Sequence, residues 1–363
     1  MTKARTNASA SPAVGRNMVI NGAMNVAQRS ASVADIGAAA GYFTLDRWKL
    51  AVGDASAGRL TMSQTADGPN SISANCIKLD CTTADTSIAA GEVLVLQQLV
   101  EGQNLQRIGK GVAGAKQITV SFYVKASAAF NFVCEIKDAD NTRQISKLFA
   151  TTTDWVRHEL TYAADEDDGS SPFVDDNALG LNLNLWLHAG STYTGGTLNT
   201  ATFANVTNAN RAAGISSFFS STDNNFFLTG VQLEVGPVAT EFEQEDITTT
   251  LVKCQRYYYK LVNGTDGTYM PLGIAYRTTD IQVAERHPIA MRADPSIAVS
   301  GNLRAVDGLS ATVSSGAVIA NASKTSTLAW YTNNNAFSGL TAFRPYLING
   351  ESSGDYFEVD AEL

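Results

Sequence analysis

Residues 179–190 read LGLNLNLWLHAG, with leucine at every second place from Leu179 to Leu187 and Gly180, Asn182, Asn184, Trp186 and His188 between them. A period of two is that of a β-strand with two chemically different faces. The leucine face belongs to a core. The other face sets two amides, an indole and an imidazole side by side, the residue types that cover the apolar side of a sugar ring and bond its hydroxyls. The same spacing also fits a strand buried on both sides, or one whose second face is covered by a loop or another subunit.

Other segments repeat the pattern. In KQITVSFYVKA, Ile118, Val120, Phe122 and Val124 alternate with Thr119, Ser121, Tyr123 and Lys125. AFNFVCEIKD does the same with Phe130, Phe132, Cys134 and Ile136, and NCIKLDCT, TDWVRHELTY and FFLTGVQLEVG behave similarly. Turn-forming clusters such as DADN and DEDDGSSP separate them. Many short strands without long intervening helices predict a mostly β protein, a sandwich or barrel.

The period changes near residue 246. In EDITTTLVKCQRYYYK, Asp246 is placed to cap a short helix, and Ile247, Leu251, Cys254 and Tyr258 then fall on one stripe at helical spacing. So short a helix needs packing, against its own domain or against copies of itself in other subunits. Beyond it β composition returns. The expected organisation is a tail or attachment segment over 1–16, a β-sandwich over 17–245, a connecting helix over 246–260 and a smaller β-domain over 261–363. In that last part LAWYTNNNAF offers Trp330 and Tyr331, followed by a turn with Asn333 and Asn334, as a second binding surface on a loop.

Of 363 residues, 44% are hydrophobic and only 17% charged, with 26 Lys plus Arg against 35 Asp plus Glu. The resulting charge of −9 and the lack of a basic stripe argue against nucleic-acid binding. No apolar run approaches the roughly 20 residues of a membrane helix. The N-terminal MTKARTNASASPAVGRN lacks the apolar core of a signal peptide, which predicts cytosolic synthesis without export. Four scattered cysteines, Cys76, Cys81, Cys134 and Cys254, form no CxxC pair and read as buried thiols.

Three separated passages, GRNMVINGAMNVAQRS with YFTLDRWKL, FFLTGVQLEVGPVATEFEQE, and LVKCQRYYYKL, together resemble a family of bacteriophage and prophage tail-fibre or minor virion proteins. VLQQLVEGQNL and KQITVSFYVKA are similar to that family's core strands, and HPIAMRADPSIAV with the terminal VDAEL to its C-terminal part. The resemblance implies a jelly-roll sandwich like that of carbohydrate-binding modules, followed by a smaller β-domain, on a usually trimeric virion appendage assembled in the host cytoplasm. It implies other virion proteins as partners through the N-terminal segment, and a bacterial surface polysaccharide or receptor as target. The stripe Ile247, Leu251, Cys254 and Tyr258 is a plausible meeting place for three chains.

Several residues invite a chemical role beside a structural one. Gln232 and Glu234 are candidates for ligand contact or for hydrogen bonds to neighbouring loops. Asp46, Arg47 and Trp48 in LDRW suit a structural lock. DADNT at 138–142 and the acidic stretch at 165–176 offer oxygen ligands but lack the spacing of a calcium loop, and no metal or cofactor is expected. There is no GxSxG elbow or HExxH helix, and three histidines leave few candidates for acid–base work. The expectation is a non-enzymatic appendage protein, with a virion spacer and a polysaccharide depolymerase as alternatives. Its sugar contacts would be Asn182, Asn184, Trp186 and His188.

Overall fold

The computed structural model describes residues 15–363 except 55, 70, 167–170, 263–271, 308–310, 314–317, 323, 325–327, 333–336 and 353. The chain divides into two compact units, one ending at Asp246 and the other beginning at Ile247.

The first unit is a sandwich of two antiparallel sheets of jelly-roll type. Its strands are β1 Ser32–Ile36, β2 Gly41–Tyr42, β3 Lys49–Gly53, β4 Arg59–Thr65, β5 Cys76–Thr83, β6 Val93–Glu101 and β7 Ile118–Ala126. They continue with β8 Asn131–Asp138, β9 Arg143–Ala150, β10 Val156–Tyr162, β11 Leu179–Ala189, β12 Ala204–Asn205 and β13 Asn225–Val235. One sheet has the order β1-β4-β5-β13-β7-β10 and the other β12-β9-β8-β11-β6-β3-β2. Strand β11 is the LGLNLNLWLHAG stretch, and it lies in the middle of the second sheet, paired with β6 and β8. Its Leu181, Leu183, Leu185 and Leu187 join Leu96, Phe122, Phe132 and Leu228 in one core shared by both sheets.

Strand β13 departs from simple alternation. Phe226 and Leu228 face the core, yet so do Val231 and Leu233, three and five residues beyond Leu228. A bulge between Thr229 and Gln232 absorbs the extra residue, and Gly230 stands there at φ +62, where side-chain-bearing residues are strained. The bulge shifts the phase by one and keeps both halves of the strand in the core. It also sets Gln232 and Glu234 on the sheet's other face, under residues 240–243. Gln232 Nε2 donates to Glu234 Oε1 at 2.8 Å, the same oxygen accepts from Thr240 N, and Glu243 N donates to Gln232 Oε1 at 2.8 Å. Both residues clip a loop.

The LDRW residues are buried. Asp46 accepts from Gln28 N at 2.8 Å, Arg47 donates to Leu99 O, and Trp48 Nε1 donates to Asn21 O at 3.2 Å. All four cysteines are free and buried, and burial pushes the Cys134 thiol up to about 12.

In the second unit a helix, α1 Ile247–Gln255, precedes β14 Tyr258–Val262, β15 Leu272–Ala275, β16 Ile281–Glu285, β17 Ser296–Ser300 and β18 Leu303–Val306. The remaining strands are β19 Ala311–Val313, β20 Val318–Ala322, β21 Leu328–Thr332, β22 Pro345–Gly350 and β23 Tyr356–Asp360. They form a three-stranded sheet, β14-β23-β17, and a seven-stranded one, β19-β18-β22-β15-β16-β21-β20.

Two expectations change here. The helical stripe does not extend to Tyr258, because the helix ends at Gln255 and the tyrosine run enters β14, where Tyr258 pairs with Asp360. Aromatic residues favour this extended setting. Cys254 and Tyr258 are buried and Leu251 is half-buried, so Ile247 is the exposed member of the four. Trp330 and Tyr331 stand on β21, paired on both sides by β16 and β20, not on a loop. Asn333 and Asn334 lie outside the described residues.

Candidate functional site

The face of the β12-to-β2 sheet that points away from the core is built row by row from strand register. Directly opposite residues of antiparallel strands share a face. Tyr42 stands opposite Lys49, Lys49 opposite Gln97, Gln97 opposite Asn184, Asn184 opposite Glu135, and Glu135 opposite Ser146. One polar row thus crosses β2, β3, β6, β11, β8 and β9. On one side runs an apolar row, Ala51, Val95, Trp186, Val133 and Leu148. On the other runs Leu99, Asn182, Lys137 and Gln144.

Hydrogen bonds tie the polar row together. Gln97 Nε2 donates to Asn184 Oδ1 at 2.7 Å, and Asn184 Nδ2 donates to Glu135 Oε2 at 2.8 Å. Glu135 also accepts from Trp186 Nε1 at 2.9 Å and from Arg211 Nε and Nη2 at 2.8 and 2.9 Å. Its carboxylate is fully buried, and four donors compensate the lost water. Arg211 arrives on the segment after β11, and its guanidinium lies 4.7 Å from the centre of the Trp186 ring.

The same segment covers the apolar row. Trp186, Val95 and Val133 pack with Ala212, and Tyr193 lies 5.2 Å from the Trp186 ring. His188 is closed off as well. Its Nδ1 is 2.8 Å from Ser217 Oγ and its Nε2 3.3 Å from Glu92 Oε2, with Phe219 edge-on at 5.2 Å. Burial lowers the pKa of this imidazole, and Glu92 opposes the shift in part.

Of the four residues expected to share an open sugar platform, three are covered. Asn184, Trp186 and His188 are at most 2% exposed and engaged with Glu135, Arg211, Ser217 and Glu92. The indole carries the cover and cannot serve as a sugar-stacking plane. Asn182 is the exception. It is 9% exposed, lies beyond the cover's hydrogen bonds, and its Oδ1 is buried without a partner among the described residues.

The half-buried groups on this face are Tyr42, Lys49, Gln97, Lys137 and Arg211. Tyr42 supplies an aromatic surface at one end, with Arg29 5.2 Å and Lys49 5.5 Å from its ring centre. Sequence reading missed all of these together with Glu135. The one available signal was AFNFVCEIKD, where Glu135 and Lys137 occupy the places alternating with Cys134 and Ile136.

The acidic stretches form a different cluster. Lys110 Nζ lies 2.7 Å from Asp138 Oδ2 and 3.8 Å from Asp165 Oδ2, and Arg143 grips Asp165 through Nε and Nη2 at 3.0 and 2.9 Å. Asp138 further accepts from the Asp140 and Asn141 backbone. Protein cations and amides thus occupy the carboxylates of DADNT and of the start of the acidic stretch. No group of three metal-ligating side chains occurs among the described residues.

No family model matches this sequence, and no curated protein matches it either. Among solved structures, one of CBM4 is similar to it over 59% of this chain and 97% of its own, with 11% identity and a TM-score of 0.31. The enzymatically active domain of tailspike protein 4 of bacteriophage CBA120 aligns over 61% of this chain and 21% of its own, with 11% identity and a TM-score of 0.32. TmCBM61 in complex with β-1,4-galactotriose aligns over 61% and 99%, with 11% identity and a TM-score of 0.29. At such scores and identities the likenesses fix neither a ligand nor a residue role.

Proposed function

We propose that this chain is a non-enzymatic phage virion appendage protein that binds a bacterial surface glycan through the outward face of the β12-to-β2 sheet. The observation that carries the reading is the polar row running from Tyr42 through Lys49 and Gln97 to the Asn184–Glu135–Arg211 network. It offers an aromatic surface, an amide and the Lys49 ammonium on rigid strands, with the Arg211 guanidinium held beside them by Glu135, a preorganised arrangement for a polyhydroxylated ligand. The ordered resemblance of the N-terminal, β13 and α1 passages to virion proteins supports the setting. In that setting the N-terminal segment docks to other virion proteins and the protein is a homotrimer. Glu135 is held by four donors and has no second carboxylate in its row, which favours binding over glycoside hydrolysis, where two carboxylates flank the scissile bond.

The test is adsorption competition. Purified protein should bind susceptible cells and block phage adsorption, and Tyr42→Ala should weaken this with the fold retained. Absence of binding at saturating protein would overturn the receptor role.

A second reading, a virion spacer, is favoured by one observation in the second unit. Leu272, Ile274 and Leu347 are 57%, 52% and 39% exposed on the neighbouring strands β15 and β22, beside Phe343 at 82%. Such an apolar strip suits contact with protein. A spacer would not compete for adsorption.

A further inference from the structure

We propose that Lys137 and Asn182 form a subsite for an acidic saccharide unit, one that carries a carboxylate beside a hydroxyl, as a hexuronate does. This deepens the glycan-binding reading and rests on it.

The two residues are direct cross-strand partners on β8 and β11, so their side chains leave the same face at neighbouring points. Neither is used by the fold. The Asn182 side chain makes no hydrogen bond among the described residues although the residue is nine-tenths buried, and its Oδ1 is fully enclosed. A buried amide without partners is costly, whereas Asn184, Glu135, Gln144, Ser146 and His188 are all bonded. Lys137 is half-buried, and its ammonium forms neither an ion pair nor a hydrogen bond among the described residues. The neighbouring carboxylates are committed elsewhere, Glu135 to Arg211 and Asp138 to Lys110.

These groups specify complementary chemistry. Asn182 Oδ1 is unsatisfied where it stands, and a turn of the amide that exposes it lets a sugar hydroxyl donate to it. Lys137 Nζ and Asn182 Nδ2 require acceptors, which a carboxylate supplies. Charge agrees with this. Lys137 lies near Arg211 and near the carboxylates of Glu135 and Asp138, and those two carboxylates pair with Arg211 and Lys110 rather than with Lys137. Burial and the nearby Arg211 lower the pKa of Lys137 while Glu135 and Asp138 oppose the shift only in part, and an arriving anion would favour the charged form. A neutral sugar would leave that ammonium half-desolvated and unpaired.

The test uses polygalacturonate, polyglucuronate and polymannuronate, each beside its carboxyl-reduced neutral polymer, titrated into the full chain at low salt. At least one polyuronate should bind about tenfold more tightly than its reduced form, with the difference shrinking in salt. Lys137→Gln should abolish the preference and Lys137→Arg should keep it. Asn182→Leu should also lose it while raising the melting temperature, since it removes an unsatisfied amide; circular dichroism confirms that each variant is folded. Equal binding of acidic and reduced polymers, or a preference untouched by Lys137→Gln, overturns the subsite and leaves glycan binding standing. Failure of every polymer, acidic or neutral, overturns the glycan reading and the subsite with it.

Discussion

Arg211 grips Glu135 through two parallel hydrogen bonds, Nε to Oε1 at 2.8 Å and Nη2 to Oε2 at 2.9 Å. This bidentate pair fastens the segment after β11 onto the sheet, and Asn184 and Trp186 donate to the same carboxylate. Replacing it leaves a guanidinium and two further donors facing a void. Glu135→Ala should therefore cost about 3–5 kcal/mol, read from urea unfolding midpoints at fixed m-value. A loss within experimental error of zero would show that the cover is held by other contacts.

Trp186 is 2% exposed between Arg211 and Tyr193. Trp186→Ala should lower stability by about 3–5 kcal/mol, as expected when a large buried ring is removed. Near-wild-type stability combined with lost cell binding would instead assign the ring to ligand contact.

His188 makes the first unit sensitive to acid. Burial holds its folded-state pKa below the ordinary 6.5, so the unfolded chain takes up a proton at a higher pH than the folded one. The histidine's contribution is complete above the unfolded pKa and is lost as pH falls through it towards the folded value. His158, lowered by burial with the Ala150 carbonyl opposing, acts in the same direction. Between pH 7.5 and 5.5 the wild type should lose more stability than His188→Gln, carboxylate titration being common to both. Equal losses would contradict this account.

Lys110 is 2.7 Å from Asp138 and 3.8 Å from Asp165, with almost no exposed surface. Lys110→Met should destabilise by about 3 kcal/mol, because it strands buried carboxylate charge. EDTA should leave the wild-type melting temperature unchanged, since an ammonium sits between these carboxylates. A midpoint that moves with the chelator would require a cation in addition to Lys110.

Much of the sandwich was legible because alternation is local. Phe122, Phe132, Leu183 and Leu233 each announce a buried face from their immediate neighbours. What was not legible depended on register or on distant chain. Nothing near Trp186 tells that Arg211, 25 residues on, will lie over its ring. Nothing near Asn184 reveals Gln97 and Glu135 as its flanking partners. Tyr258 continued a helical spacing on paper, but pairing with β23 offers its backbone a ladder that a ninth-residue helix end does not. Gly230 was visible as a glycine, while its role in shifting the phase of β13 required knowing which residues of β7 it faces.

The polar row draws each member from a different strand, and core residues of the other parity stand beside them: Leu50 next to Lys49, Leu96 next to Gln97, Ile136 next to Glu135. The outward chemistry and the inward packing are thus written on interleaved positions of the same strands. Exchanges at Tyr42, Lys49, Gln97 or Lys137 alter the chemistry presented outward and leave the packing inward untouched. Under the glycan-binding proposal, a change in the target can be followed one side chain at a time, without the protein passing through an unfolded ancestor.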